Sequence, residues 1–283
     1  MKRWAALVGT AVVAAIVFFV VITQSQAQQS LQVRVDRWLE VRHVTNDVTL
    51  EHDSVRRAAQ VGDRLQAVGD SITTGKNSST TLFVDTGVGV IEVAEQTILR
   101  VRALDMAPDN GRITRLTVPT GNVRLRVRRF THKGSELEIQ TPVGLSGVRG
   151  TVFGVAVQPN GKTGLAVRQG LVSSSAQNQS VSVGGGFQNF TLPGEPPSAP
   201  VRWTDDTSLK YDFEKRIERG VRKVRLLGQV DPVNTVTVDS VSQVTDREGR
   251  FITDLRLVPS YMRIQVVVTT PLGTQKTYAL ALQ

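Results

Sequence analysis

The 283-residue chain contains no cysteine, which excludes disulfides, thiolate metal centres and a cysteine nucleophile. Histidine is scarce, with only His43, His52 and His132 present for zinc or acid–base work. Aromatic residues make up 5%, too few for the stacking platforms interleaved with basic residues that bind single-stranded nucleic acid. Charged residues make up 21% and hydrophobic ones 40%, which excludes coiled coil, collagen and bulk disorder. What is present is a globular composition, long enough for one or two domains with their own cores.

Met1-Lys2-Arg3 precedes an apolar run over residues 5–22, followed by a polar stretch in which small Ser25 and Ala27 flank Gln26. A positive start, an apolar middle and a small-x-small exit are the layout of a secretory signal peptide, so residues 1–27 are expected to be a leader cleaved after Ala27. The run is also just long enough to cross a bilayer, which makes an uncleaved signal anchor through residues 5–22 the other reading. In both, the leading charges hold the N-terminus inside and send the rest outward, to the periplasm or cell envelope. The formal net charge is +9, and without the two leader cations Lys2 and Arg3 it is +7. That surplus favours an anionic partner, an envelope protein or an anionic glycan, and export makes nucleic acid the least expected.

Over residues 31–192, short β-rich runs such as 81–84, 88–93, 98–101 and 113–118 alternate with glycine punctuation. With turn signals at Asp109-Asn110-Gly111 and Pro159-Asn160-Gly161, they predict an all-β domain, the second turn closing a hairpin of 152–157 with 163–167. Pattern alone leaves a β-roll, a β-helix or a sandwich open. Gly184-Gly185-Gly186 and the proline-rich stretch 193–200 end this domain and begin a stiff linker. Asp205 and Asp206 as caps, with Leu209, Phe213, Ile217, Val221 and Val224 on one face, predict a short amphipathic helix over 207–224. Alternation returns to the C-terminus and predicts a small β-domain. The expected order is a leader at 1–27, a β-domain at 31–192, a linker with a helix at 193–225, and a β-domain at 226–283.

Arg124, Arg126 and Arg128 alternate with Val123, Leu125 and Val127, so in a strand the three guanidinium groups share one face while the aliphatic residues enter the core. Arg129, His132 and Lys133 extend that ridge. Arg124, Arg126, Arg128, Arg129 and Lys133 are therefore the expected partner-binding surface, the other reading being a solvated outer face. No cofactor, metal or catalytic assignment emerges. Gly75-Lys76-Asn77-Ser78 fails as a phosphate loop because position 70 is aspartate. His43 and His52 lie near Glu40, Asp47, Glu51 and Asp53 without a recognised metal spacing. Asp70, Asp85, Glu92 and Glu95 supply carboxylates, but nothing sets two of them across a cleft.

Several phrases follow one another in order: Val61-Gly62-Asp63-Arg64-Leu65, then Gly69-Asp70-Ser71-Ile72-Thr73-Thr74-Gly75-Lys76, then Ile91-Glu92-Val93-Ala94-Glu95-Gln96-Thr97. Further on come Gly121-Asn122-Val123-Arg124-Leu125, Thr141-Pro142, Gly147-Val148-Arg149-Gly150-Thr151-Val152-Phe153 and Val167-Arg168-Gln169-Gly170-Leu171-Val172. Over about residues 53–190 this set resembles the FecR-type periplasmic domain. The resemblance implies structural roles for Gly62, Asp63, Gly69, Asp70, Thr74, Gly75, Thr97, Thr141, Pro142, Val148, Arg149, Gly150, Thr151, Phe153 and Gly170. It also implies an exported, non-enzymatic module in the envelope of a diderm bacterium that binds a protein or glycan to sense or scaffold. In the regulators that name the family, a cytoplasmic anti-sigma segment precedes the membrane helix, whereas only Met1 to Trp4 precede the apolar run here. A membrane-anchored trans-envelope regulator is the alternative, and a polysaccharide-acting enzyme using Glu92 and Glu95 the second. Gly228-Gln229-Val230-Asp231-Pro232, Asp246-Arg247-Glu248-Gly249-Arg250-Phe251 and Ile264-Gln265-Val266 resemble a bacterial immunoglobulin-like domain.

Overall fold

A computed structural model of the chain describes residues 37–148, 150–257 and 262–282. The expected leader or anchor at 1–27 lies outside the described residues, as does Arg149. The chain runs β1 Leu39–Thr45, β2 Val48–His52, β3 Val55–Ala58, β4 Arg64–Leu65, β5 Ser71–Thr74, β6 Ser79–Val84, β7 Gly89–Val93, β8 Ile98–Met106 and β9 Arg112–Val127. It continues through β10 Glu136–Gln140, β11 Leu145–Val148, β12 Val152–Val157, β13 Thr163–Gln169, β14 Leu171–Ala176, β15 Gln179–Gly184, β16 Phe187–Thr191 and β17 Val201–Arg202. The last third holds β18 Lys210–Glu218, β19 Val221–Gln229, β20 Thr235–Val238, β21 Val241–Gln243, β22 Arg250–Ile252, β23 Arg256–Leu257, β24 Met262–Thr269 and β25 Gln275–Leu282. The architecture is all-β, as the strand-length alternation predicts.

The first seventeen strands form two layers that share β9. One layer is ordered β4-β1-β6-β7-β9-β12-β13-β16-β17 and the other β3-β2-β5-β8-β9-β10-β11-β14-β15. Among these ladders only β9–β10 is parallel, so the layers form an antiparallel roll and not a parallel β-helix. The first part of β9 pairs with β8 and β10, and residues 121–127 pair with β7 and β12. The switch falls at Gly121, whose φ of +98° and contact with Thr97 leave no room for a Cβ. Residues alternating inward from both layers, among them Leu39, Leu82, Ile91, Leu116, Leu125 and Phe153, make one buried core.

The C-terminal third is a smaller two-sheet unit around its own core of Leu226, Val236, Phe251, Val266 and Val268. One sheet is β18-β19-β22 with β23 also on β19, the other β21-β20-β24-β25. This unit begins at Lys210 and not at 226, because the helix expected over 207–224 does not form. Its place is taken by the hairpin β18–β19, turned by Arg219 and Gly220, both at positive φ. A four-residue spacing such as 209, 213, 217 and 221 marks one helix face but is also an even number, so it equally marks one strand face. The preceding proline-rich stretch is not simply extended: it opens in a turn at Pro193-Gly194, where Glu195 N–H donates to Leu192 O at 3.1 Å, and it is tied down, since Phe190 N–H donates to Ser198 Oγ at 3.0 Å and β17 pairs with β16.

The two units meet on the outer face of β12 and β13. There the outward residues are small, Gly154 and Ala156 on one strand and Gly164 and Ala166 on the other, and all four are buried. A Cβ on Gly154 would overlap the carbonyl of Pro271, and one on Gly164 the carbonyl of Val233. Asn122 Nδ2 donates to Thr270 O at 3.0 Å, and Gln158 Nε2 donates to Asn234 O at 2.9 Å, so the close approach is also hydrogen-bonded.

Candidate functional site

The arginine strand folds as its alternation requires. Val123, Leu125 and Val127 are buried in the core, while Arg124, Arg126 and Arg128 stand exposed on the outer face of the first layer. The strand itself stops at Val127, so Arg128 stands one residue past its end, where its N–H still donates to Val88 O at 3.0 Å. Arg129 and Lys133 lie in the connection to β10 and do not prolong the ridge. Arg124, Arg126 and Arg128 also differ in what holds them. Arg124 pairs with Glu92 and donates to Leu272 O at 3.1 Å, and Arg128 donates to Gly87 O at 3.1 Å. Among the described residues Arg126 has no hydrogen-bond or ion-pair partner.

A second unpaired guanidinium stands across β12. Arg126 lies opposite Val152, and Arg168 sits where the β12–β13 register shifts between Val152 and Phe153. Like Arg126, it is exposed and has no partner among the described residues. Both line a groove of about 340 Å³ with Arg124, Trp203, Asp205 and Leu272. Its far wall is held in place because Asp205 accepts from Thr270 Oγ1 at 2.8 Å and from Thr274 Oγ1 at 2.6 Å. The Trp203 indole N–H is buried without a hydrogen-bond partner among the described residues. Arg168 and Trp203 belong to this groove but carry no local signal. Only the small-residue pattern of Gly154, Ala156, Gly164 and Ala166 hints that another unit covers this face and leaves a cleft at its rim.

The residues given structural roles do not converge on one site. Gly62 and Gly69 turn at positive φ, and beside them Asp63 accepts from Gln60 N–H and Arg57 while Asp70 accepts from Gln66 N–H, Ala67 N–H and His52. Thr74 Oγ1 accepts Thr97 N–H at 3.0 Å, and Thr97 Oγ1 accepts Asn122 N–H at 2.9 Å, so these hydroxyls fasten the crossing of the layers. Gly75 packs on Asp47, and Thr141 accepts from Thr163 Oγ1 while Pro142 covers Gly161. Val148 and Phe153 fill the core, and Gly150 and Gly170 abut one another beside buried Thr151. His43 and His52 stay apart from any group of three metal-ligating side chains among the described residues. Glu92 pairs with Arg124 and Glu95 accepts Asn77 N–H at 2.8 Å, and both carboxylates line one cavity of about 370 Å³ with Asn122 and Arg124.

Comparison with known proteins agrees with the resemblance read from the motifs. The family described as FecR protein matches residues 70–173. Comparison with curated proteins gives no match. Among solved structures, two crystal structures of a candidate anti-sigma factor from Parabacteroides distasonis, at 2.50 and 1.65 Å, are 16% identical to this chain, with TM-scores of 0.39 and 0.38. They align with 50% of this chain, which spans 66% of their length. The family match thus runs from the buried carboxylate of Asp70 through the arginine strand to β14.

Proposed function

We propose that the chain is an exported, non-enzymatic module of the cell envelope whose FecR domain binds a carboxylate-bearing partner, a protein or a glycan, through Arg126 and Arg168. The observation that carries this reading is the two guanidinium groups that flank β12 in one groove, neither with a partner among the described residues. A guanidinium presents a rigid fork of donors that matches a carboxylate, and two of them on one rigid sheet are oriented before the partner arrives. Arg124 supports the rim and is less available, since Glu92 and Leu272 hold it. The net positive charge favours encounter with such a partner, and the apolar segment at 5–22 directs the module outward.

The test compares the wild type with an Arg126→Glu/Arg168→Glu variant for capture of a partner from envelope extract and for binding of polygalacturonate by calorimetry. The variant is expected to lose at least about tenfold in affinity with an unchanged melting temperature, as loss of charge-assisted bonds entails. Equal binding by the two proteins ends this reading.

A further inference from the structure

β18 is an edge. Among the described residues it pairs only with β19, from Lys210 opposite Gln229 to Glu218 opposite Val221. The loop between them is Arg219-Gly220, at φ of +51° and +76°. This is the geometry of a two-residue type I′ hairpin, whose closing pair exchanges both of its hydrogen bonds. Counting back from Glu218, residues 216, 214, 212 and 210 also turn their backbone polar groups to β19, and residues 217, 215, 213 and 211 turn theirs away. In agreement, the Phe213 N–H is donated to the Asp212 carboxylate, at 2.8 Å. Tyr211 and Ile217, on that open edge, are 51% and 73% exposed. A long edge that no other described strand pairs with, carrying exposed apolar side chains, is a template for another strand, which would take over the Phe213 N–H from the Asp212 carboxylate.

The order of residue types along β18 is self-complementary. Laid antiparallel on a second copy about Glu214, Tyr211 meets Ile217, Asp212 meets Arg216 and Phe213 meets Lys215, each pair occurring twice. The pairs 211/217 and 213/215 are the ones whose backbone groups point outward, so a single register satisfies the hydrogen bonds, the charges and the apolar contacts. Glu214 meets its own copy on the axis, but each carboxylate is already held by Arg216 and Arg225 of its own hairpin. We propose that two copies of this chain join β18 to β18 as an antiparallel two-fold ladder, making one sheet continuous across both subunits.

The chain's lack of cysteine makes the test direct. At a non-hydrogen-bonded antiparallel pair the Cα atoms are about 4.5 Å apart, within the range a disulfide spans. The full chain carrying Glu214→Cys, expressed in its host's envelope, should therefore run as a disulfide dimer on a non-reducing gel. Lys210→Cys should not, because the two copies of position 210 would lie about 27 Å apart. Adding Lys215→Pro to Glu214→Cys blocks the outward edge while sparing the β19 bonds, and the dimer should be lost. Because Glu214→Cys gives up its ion pairs, co-expressed Asp212→Cys and Arg216→Cys chains provide the second readout and should form the mixed disulfide. No dimer from either design, or equal cross-linking by Lys210→Cys, overturns the proposal.

Discussion

Lys162, just ahead of β13, donates from Nζ to Thr245 Oγ1 of the C-terminal unit at 2.8 Å and lies 5.1 Å from the centre of the Phe190 ring. The side chain is fully buried, and burial pushes its amine down from 10.5 to about 8 although Asp246, Asp231 and Glu248 lean the other way. Between about pH 8 and 10.5 the unfolded chain therefore holds a proton on this amine that the folded chain has released. Stability from this group rises with pH across that window, and below it the cost of a buried charge is present in full. Denaturant midpoints at pH 8 and 9.5 should show the wild type gaining about 2 kcal/mol relative to Lys162→Met. Parallel pH responses in the two proteins would show that the amine titrates normally.

Gly164 should not tolerate a methyl group. A Cβ there meets the carbonyl of Val233, a backbone atom that no rotamer change can move. Gly164→Ala is expected to cost about 1–3 kcal/mol, as overpacking does, and to loosen the junction between the two units. Limited proteolysis of the stretch 193–209 reads this out: faster cleavage in the variant is the expected result, and an unchanged rate and melt would mean that the contact yields freely.

Arg37 is 5% exposed and is held on every side. Its guanidinium donates to Asp85 Oδ2 at 2.7 Å, to Thr114 Oγ1 at 2.7 Å and to Asp105 O at 2.7 Å. Arg37→Ala leaves the buried Asp85 carboxylate with the Trp38 N–H at 3.1 Å and, as its one remaining cation among the described residues, the more distant Arg112 at 3.4 Å. Removing one partner of a buried pair typically costs about 3–5 kcal/mol, and chemical denaturation of this variant should show a loss of that size. A loss below about 1 kcal/mol would place the pair among ordinary surface bridges.

His52 Nδ1 lies 2.7 Å from Asp70 Oδ1, and the bond to this buried carboxylate raises the imidazole above its usual 6.5. A raised value in the folded state means that the contact stabilises fully below pH 6.5 and fades as pH climbs through the folded value. An NMR titration should place His52 above 6.5 and show it returning toward that value in Asp70→Asn. Coincident curves for the two proteins would remove Asp70 as the cause.

Much of the first domain is legible residue by residue. The alternation of Val123, Leu125 and Val127 with three arginines predicts a strand with one buried and one charged face, and β9 is such a strand. Pro159-Asn160-Gly161 predicts the turn between β12 and β13, and that turn forms there. The β18–β19 hairpin is not legible as such, because spacings of four are common to both periods. The groove was half legible: Arg124 and Arg126 stand out in the sequence, but Arg168 is 42 positions beyond Arg126 and reaches its place only through strand pairing.

By itself, the sequence determined the all-β class, the inward and outward faces of the strands and the surplus of positive charge, since side-chain periodicity and composition are local properties of a chain. Only the tertiary structure decided which charges are free. Arg124 and Arg126 are two residues apart on one face of one strand, yet Glu92 and Leu272 occupy the first and nothing among the described residues occupies the second. Ion pairing depends on what distant segments bring within about 4 Å, and that distance is set by sheet register and by the docking of one unit on small residues of another.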